Sequence, residues 1–245
     1  MKSSIKKQTV LVIAGILLVS TSYAQLGKKV KGNGNMTTIT RTTSDYESIK
    51  CAGSFDYILV EGNEGQIKLE GEENLLEYII VEVKNNALIV KIKDHASISP
   101  SQNKTIKVTI PFKDVNAISL SGSGDLWNED VITSDNLEVS LAGSGDVVLD
   151  VNASKIKGAL SGSGDLTLKG NTNNLTASLA GSGDIHAADL KSNNTEVSIA
   201  GSGNAKVVSL ESLKARVAGS GSIVYSGNPS KEDSKVSGSG SIRNK

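Results

Sequence analysis

From residue 115 onward, apolar and polar residues alternate along the chain, and the alternation restarts at a near-fixed interval. Leu137, Val139, Leu141, Gly143, Gly145, Val147, Leu149 and Val151 share one parity. So do Ile156, Gly158, Leu160, Gly162, Gly164, Leu166 and Leu168, and later Leu213, Ala215, Val217, Gly219, Gly221, Ile223 and Tyr225. Period-two alternation marks a strand with one buried face. Each restart carries one phrase. It reads LSGSGDL at residues 120–126, LAGSGDV at 141–147, LSGSGDL at 160–166 and LAGSGDI at 179–185. It continues as IAGSGNA at 199–205, VAGSGSI at 217–223 and VSGSGSI at 236–242.

The first glycines of the seven copies are Gly122, Gly143, Gly162, Gly181, Gly201, Gly219 and Gly238, spaced 21, 19, 19, 20, 18 and 19 residues apart. Such a period predicts a solenoid in which each repeat is one coil. A coil of this length cannot close its own core. Stacking buries a continuous interior and pairs each strand in parallel with its equivalent, about 4.8 Å away. The predicted fold is therefore all-β: a single-stranded parallel β-helix. The left-handed kind repeats in hexapeptides, so the uneven spacing favours a right-handed coil. The second glycines, Gly124, Gly145, Gly164, Gly183, Gly203, Gly221 and Gly240, share the inward parity with the first. Both sets are expected to let the chain bend and to leave room for bulky side chains from the opposite wall.

Before residue 115 the pattern is less regular. Residues 25–36 are basic and glycine-rich and are expected to form a flexible leader. Residues 37–43, 66–70, 78–83, 87–92 and 104–111 read as strands, residues 72–77 as one helical turn, and residues 95–103 as a polar loop. Asn85-Asn86 predicts a tight hairpin. Residues 51–56, CAGSFD, look like a degenerate earlier copy of the motif. Residues 37–114 are thus expected to be an irregular β cap continuous with the solenoid of residues 115–245, because a bare solenoid end exposes strand edges and core. At the other end, Asn228-Pro229 and residues 231–235 are expected to interrupt the final coil.

Composition narrows the function classes. Aromatics make up 3% of 245 residues and glycines number 25, which suits a slender solenoid better than a wide catalytic globule. Lys2, Lys6 and Lys7 precede an apolar run at residues 10–19, and Ser22-Tyr23-Ala24 supplies small residues at a cleavage site. Residues 1–24 therefore read as a signal peptide cut after Ala24, with no spanning segment expected afterwards. No cysteine follows the cut, so a lipid anchor is not expected. The expected compartment is the periplasm, the outer-membrane surface or the medium. The mature chain would carry 23 basic and 26 acidic residues. A net charge of about −3 makes nucleic acid a poor partner.

The candidate site is the outward stripe of the motif. Ser123, Ser144, Ser163 and Ser182 stand beside Asp125, Asp146, Asp165 and Asp184, and the aspartates give way to Asn204, Ser222 and Ser241 in later copies. Stacked carboxylates repel unless compensated. In one reading each Asp accepts backbone N–H bonds at its corner while serine hydroxyls bridge adjacent coils. In another, calcium bridges the ladder, but one carboxylate per coil is a weak match to calcium-binding repeats. In a third, two carboxylates one coil apart flank a glycosidic bond. Against that stands the repeat's symmetry, which no odd catalytic residue or long loop interrupts. Trp127 is either a packing contact against the cap or a platform for sugar rings. Cys51 allows no internal disulfide and reads as a small buried residue, with an intermolecular disulfide as the alternative. His95 and His186 are the only histidines, which excludes a multi-histidine centre. No catalytic residue, cofactor or metal is expected.

The repeated LxGSGD phrase, the signal segment and the CAGSFDYILVEG segment resemble the auto-transporter adhesin head GIN domain family of exported bacterial proteins. The resemblance spans roughly Tyr46 to Arg243 and implies a right-handed β-helical domain. No run of amphipathic ten-residue strands that could build an outer-membrane barrel accompanies it. The expected function is a non-catalytic binding module for a cell-envelope component, a surface polysaccharide or a protein. A structural envelope rod is the alternative, and a polysaccharide-acting enzyme is a more distant one.

Overall fold

The computed structural model describes residues 28–245. The expected signal segment, residues 1–24, lies outside them. The repeats stack as parallel coils. Strand Ile132–Gly143 pairs with Val147–Gly162, which pairs with Leu166–Gly181, which pairs with Ile185–Gly201, all in parallel. The ladder ends with Ser212–Gly219 against Lys231–Gly238 and with Ser222–Ser226 against Ser241–Asn244. Equivalent motif positions sit in register throughout. The first glycines form one column, from Gly53 through Gly122, Gly143, Gly162, Gly181, Gly201 and Gly219 to Gly238.

The uneven spacing has local causes. The 20-residue interval between Gly181 and Gly201 contains a bulge, where the register shifts opposite Thr167/Lys169. The 18-residue interval before Gly219 closes on a short connection, Ser209-Leu210-Glu211, between Asn204–Val208 and Ser212–Gly219. A bulge or a shortened corner changes the count without disturbing the register of the motif.

One core fills the coils from end to end. Leu141, Leu160, Leu179, Ile199 and Val217 form one inward column, and Val147, Leu166, Ile185, Ala205 and Ile223 form another. The cap end is filled by larger side chains, among them Tyr46, Phe55, Tyr57 and Phe112. The CAGSFD segment is a true motif copy. Cys51 pairs with Leu120, Gly53 with Gly122 and Asp56 with Asp125. Cys51 is therefore a free, buried core residue standing where later copies carry leucine. Burial pushes its thiol well above the usual range, so it is no reactive thiolate.

The cap has an order that sequence alone does not suggest. The chain runs through Ser48–Gly53 and Asp56–Glu61, makes an excursion, and returns to add Ala87–Ile92 and Lys107–Phe112 beneath them, in parallel. The earliest motif copy thus lies between a later segment and the first regular coil. Antiparallel strands then close the end: Ile79–Lys84 pairs with Ala87–Ile92, Gln66–Glu72 with Lys107–Phe112, and Met36–Thr42 with Gln66–Glu72. The hairpin turn has Asn85 and Asn86 at φ 51° and 58°, the left-handed pair that a two-residue loop needs.

Three expectations are corrected. Lys28–Lys31, placed in a flexible leader, is a strand paired in parallel with Ala96–Ser99, itself placed in a polar loop. Buried Glu72 holds the two segments together. Its carboxylate accepts hydrogen bonds from Gly34 N at 2.6 Å, Ser101 N at 2.8 Å and Ser101 Oγ at 2.6 Å. Residues 231–235 do not interrupt the last coil but form part of its strand, with Glu232 and Ser234 opposite the buried Leu213 and Ala215. Among the described residues no coil stacks on the far side of that strand, and its inward positions are polar and exposed. The motif glycines, finally, make no room for the opposite wall. A Cβ on Gly162 would lie 2.1 Å from the carbonyl oxygen of Gly143, and one on Gly164 1.9 Å from that of Gly145. The missing side chains let successive coils approach backbone to backbone.

Candidate functional site

The stripe forms at the corner where each long strand ends in the motif. At the first glycine the backbone turns with φ between 119° and 139° in the seven copies, a region that favours glycine. The turn points the next two N–H groups at the coil below. Gly122 O accepts from Ser144 N at 2.9 Å and Gly145 N at 3.2 Å, and Gly143 O accepts from Ser163 N at 2.9 Å and Gly164 N at 3.1 Å. The bridge between coils therefore runs through the serine N–H, where hydroxyl bridges had been expected.

The aspartates continue the same pattern. Asp125 Oδ1 accepts from Asp146 N at 3.0 Å, Asp146 Oδ1 from Asp165 N at 3.0 Å, and Asp165 Oδ1 from Asp184 N at 2.9 Å. Asp184 Oδ1 accepts from Asn204 N at 2.7 Å and from Asn204 Nδ2 at 3.0 Å. Each carboxylate satisfies a donor of the next coil, which gives the Asp column a structural role. A charged acceptor also makes the stronger bond. The arrangement uses Oδ1 of each carboxylate.

The structure brings the predicted serines and aspartates together on one outside corner. Ser123, Ser144, Ser163, Ser182, Asp125 and Asp146 are exposed, whereas Asp165 and Asp184 are half-buried. Trp127 stands apart, on the strand Asp125–Asn128 at the cap-side end of the stripe. It is half-buried, in register between Ile58 and Val148. Ile58 is buried although it stands on the outward parity, so this end of the face is apolar.

Two features escaped the sequence reading. His186 follows Asp184 on the same outward face, and its Nε2 lies 3.6 Å from Asp165 Oδ2. Its parity relative to Asp184 was the available signal. The second is a shallow groove of about 630 Å³ along the flank before the corner. Ala142, Ala159, Ser161, Ala180, Ala200 and Ala218 line it, with Arg216 and Lys235 at its far end. The signal there was the Ser or Ala before each first glycine, a position that carries no long side chain in any copy. Among the described residues, no helix is long and apolar enough to cross a membrane.

A family model described as "Putative auto-transporter adhesin, head GIN domain" matches residues 45–229. The chain is similar to a crystal structure of a putative adhesin from Bacteroides fragilis, with 26% identity and a TM-score of 0.78 over 88% of this chain and 100% of that one. It is also similar to a putative lipid binding protein from Parabacteroides distasonis, with 28% identity and a TM-score of 0.75 over 89% and 100%. A putative adhesin from the same organism shares 25% identity and a TM-score of 0.71, again over 89% and 100%. None of the curated proteins matches.

Proposed function

This chain belongs to the putative auto-transporter adhesin, head GIN domain family, and from that premise we propose that it is an exported, non-catalytic binding module. Its contact surface is the long outward corner, and its partner is an extended component of the cell envelope or of a neighbouring surface, a polysaccharide or a repetitive protein. One observation carries the reading. Six consecutive corners, at Ser123, Ser144, Ser163, Ser182, Ser202 and Ser220, make the same pair of N–H bonds to the coil before, so serine hydroxyls, and in the first four copies carboxylate oxygens, are presented at single-coil pitch. A partner with its own repeat can engage several copies, and weak contacts in series add through effective concentration.

The test is binding of the purified chain to a glycan array and to envelope fractions. Asp146→Ala combined with Asp165→Ala should weaken capture while the melting temperature still reports a folded chain. Trp127→Ala should weaken it only if the contact lies at the cap end. Capture unchanged in both variants would remove this reading. Turnover of a polysaccharide that the paired Asp change abolishes would move the protein to the enzymes.

A second reading has a specific observation in its favour. The groove lined by alanines is apolar and open along its length, and one similar structure is described as a putative lipid binding protein. An acyl chain lying along Ala159, Ala180 and Ala200 would suit it. Ala180→Trp, on an exposed position, should then abolish binding of a fluorescent fatty acid and leave envelope capture by the corner intact.

A further inference from the structure

The outward column one step beyond the aspartates reads Trp127, Val148, Thr167, His186, Lys206, Val224 and Arg243 through the stacked coils. At one point it places an imidazole against the Asp ladder. His186 Nε2 is 3.6 Å from Asp165 Oδ2. One ligand atom from each of Asp165, Asp184 and His186 lies within 4.8 Å of the other two, and all three residues are half-buried.

We propose that Asp165, Asp184 and His186 form a binding site for a divalent transition-metal ion of the zinc class. Asp165 Oδ1 is held by Asp184 N, and Asp184 Oδ1 by both nitrogens of Asn204, so one oxygen of each carboxylate is anchored and the other remains for a metal. Hydrogen bonds of this kind orient metal ligands and raise their affinity. Asp125, Asp146, Asp165 and Asp184 stack one coil apart; the lysine and arginine ion pairs of the solenoid flank lie elsewhere, at Lys157–Glu138, Lys214–Glu196 and Arg216–Asp233, and His186 alone is paired with the column. A bound cation would relieve the repulsion along the column.

One imidazole and two carboxylates suit zinc and its neighbours. Calcium takes six to eight oxygens, which this corner does not gather. Zinc bonds of about 2.0–2.2 Å bring ligand atoms closer together than 4.8 Å, so binding takes a small turn of the His186 side chain. Three protein ligands leave a position for water or for an anionic group of a partner. Lys206 follows His186 in the column and is exposed; its charge opposes the ion, so Lys206→Ala should tighten binding.

The test is calorimetric titration of the chain, free of any polyhistidine tag, with Zn²⁺, alongside visible absorption on adding Co²⁺. The expected result is one ion per chain. Affinity should fall roughly tenfold or more in Asp165→Asn and in His186→Thr. Asn keeps an oxygen for Asp184 N, and Thr is what the coil below carries at Thr167, so both variants should melt like the parent. His95→Thr should bind zinc as the parent does. No saturable zinc binding, or equal affinity in His186→Thr, overturns the proposal. So does a loss that follows His95 instead of His186.

Discussion

At Gly162 two demands meet in one residue. The backbone holds φ at 132°, and the carbonyl of Gly143 occupies the place a Cβ would take. Gly162→Ala should therefore lose more than about 2 kcal/mol, since strain of this kind costs about 1–3 kcal/mol before any clash is counted. Ser163→Ala, one residue on and exposed, should stay within about 0.5 kcal/mol. Thermal or denaturant melts would separate the two. Glu72 carries a different dependence. Hydrogen bonds, first from the Ser101 hydroxyl and then from Ser101 N, hold its carboxyl below the ordinary value of 4.5. Because the folded value is the lower one, the stabilisation is complete above about pH 4.5 and is lost as pH falls through the lowered value. Hydrogen exchange should show the amides of Lys28–Lys31 losing protection below about pH 4.5, before those of the solenoid. Glu72→Gln should flatten that difference. Equal acid sensitivity at both ends would refute the tether.

At the scale of the strand and its corner, the inter-coil N–H is the part that cannot be replaced. Ser163→Pro removes the donor to Gly143 O, and a neighbouring coil lies on either side, so the change should cost about 3 kcal/mol or more. Ser239→Pro, where the N–H makes no bond to Gly219 O, should cost far less; similar losses at both sites would show that the inter-coil bond does not govern the corner. The parity of Leu137, Val139 and Leu141 announced the strands, and Asn85-Asn86 announced the hairpin, because both signals are local. The first glycines were legible as a corner, but their reason was not. Parity alone cannot distinguish a side chain missing toward the core from one missing toward the next coil. Lys28–Lys31 was illegible for a related cause. Four residues with three lysines carry no alternation of their own, and their strand exists because Ala96–Ser99 pairs with them in space, with Glu72 bonding Gly34 and Ser101 just beyond the two strands. His186 lies just outside the repeated phrase, and its partner Asp165 comes from the coil below, which a lone histidine in the sequence does not announce.

As a whole molecule the chain is a stack in which each coil contacts its neighbours, so coils should be removable in units. The cap closes one end with antiparallel strands and the polar Glu232 and Ser234 tolerate the other. What lies between is a surface whose length sets how many contacts a partner can make. Deleting residues 163–181 joins Gly162 to Ser182 and removes one coil in register. The measurement is the dissociation rate of the purified chain from immobilised envelope polysaccharide, full-length against coil-deleted, with circular dichroism confirming strand structure in both. The account predicts that the full chain is captured and that the shortened rod remains folded and dissociates faster. Failure of the full chain to bind, or an unchanged dissociation rate in the shortened one, would contradict it.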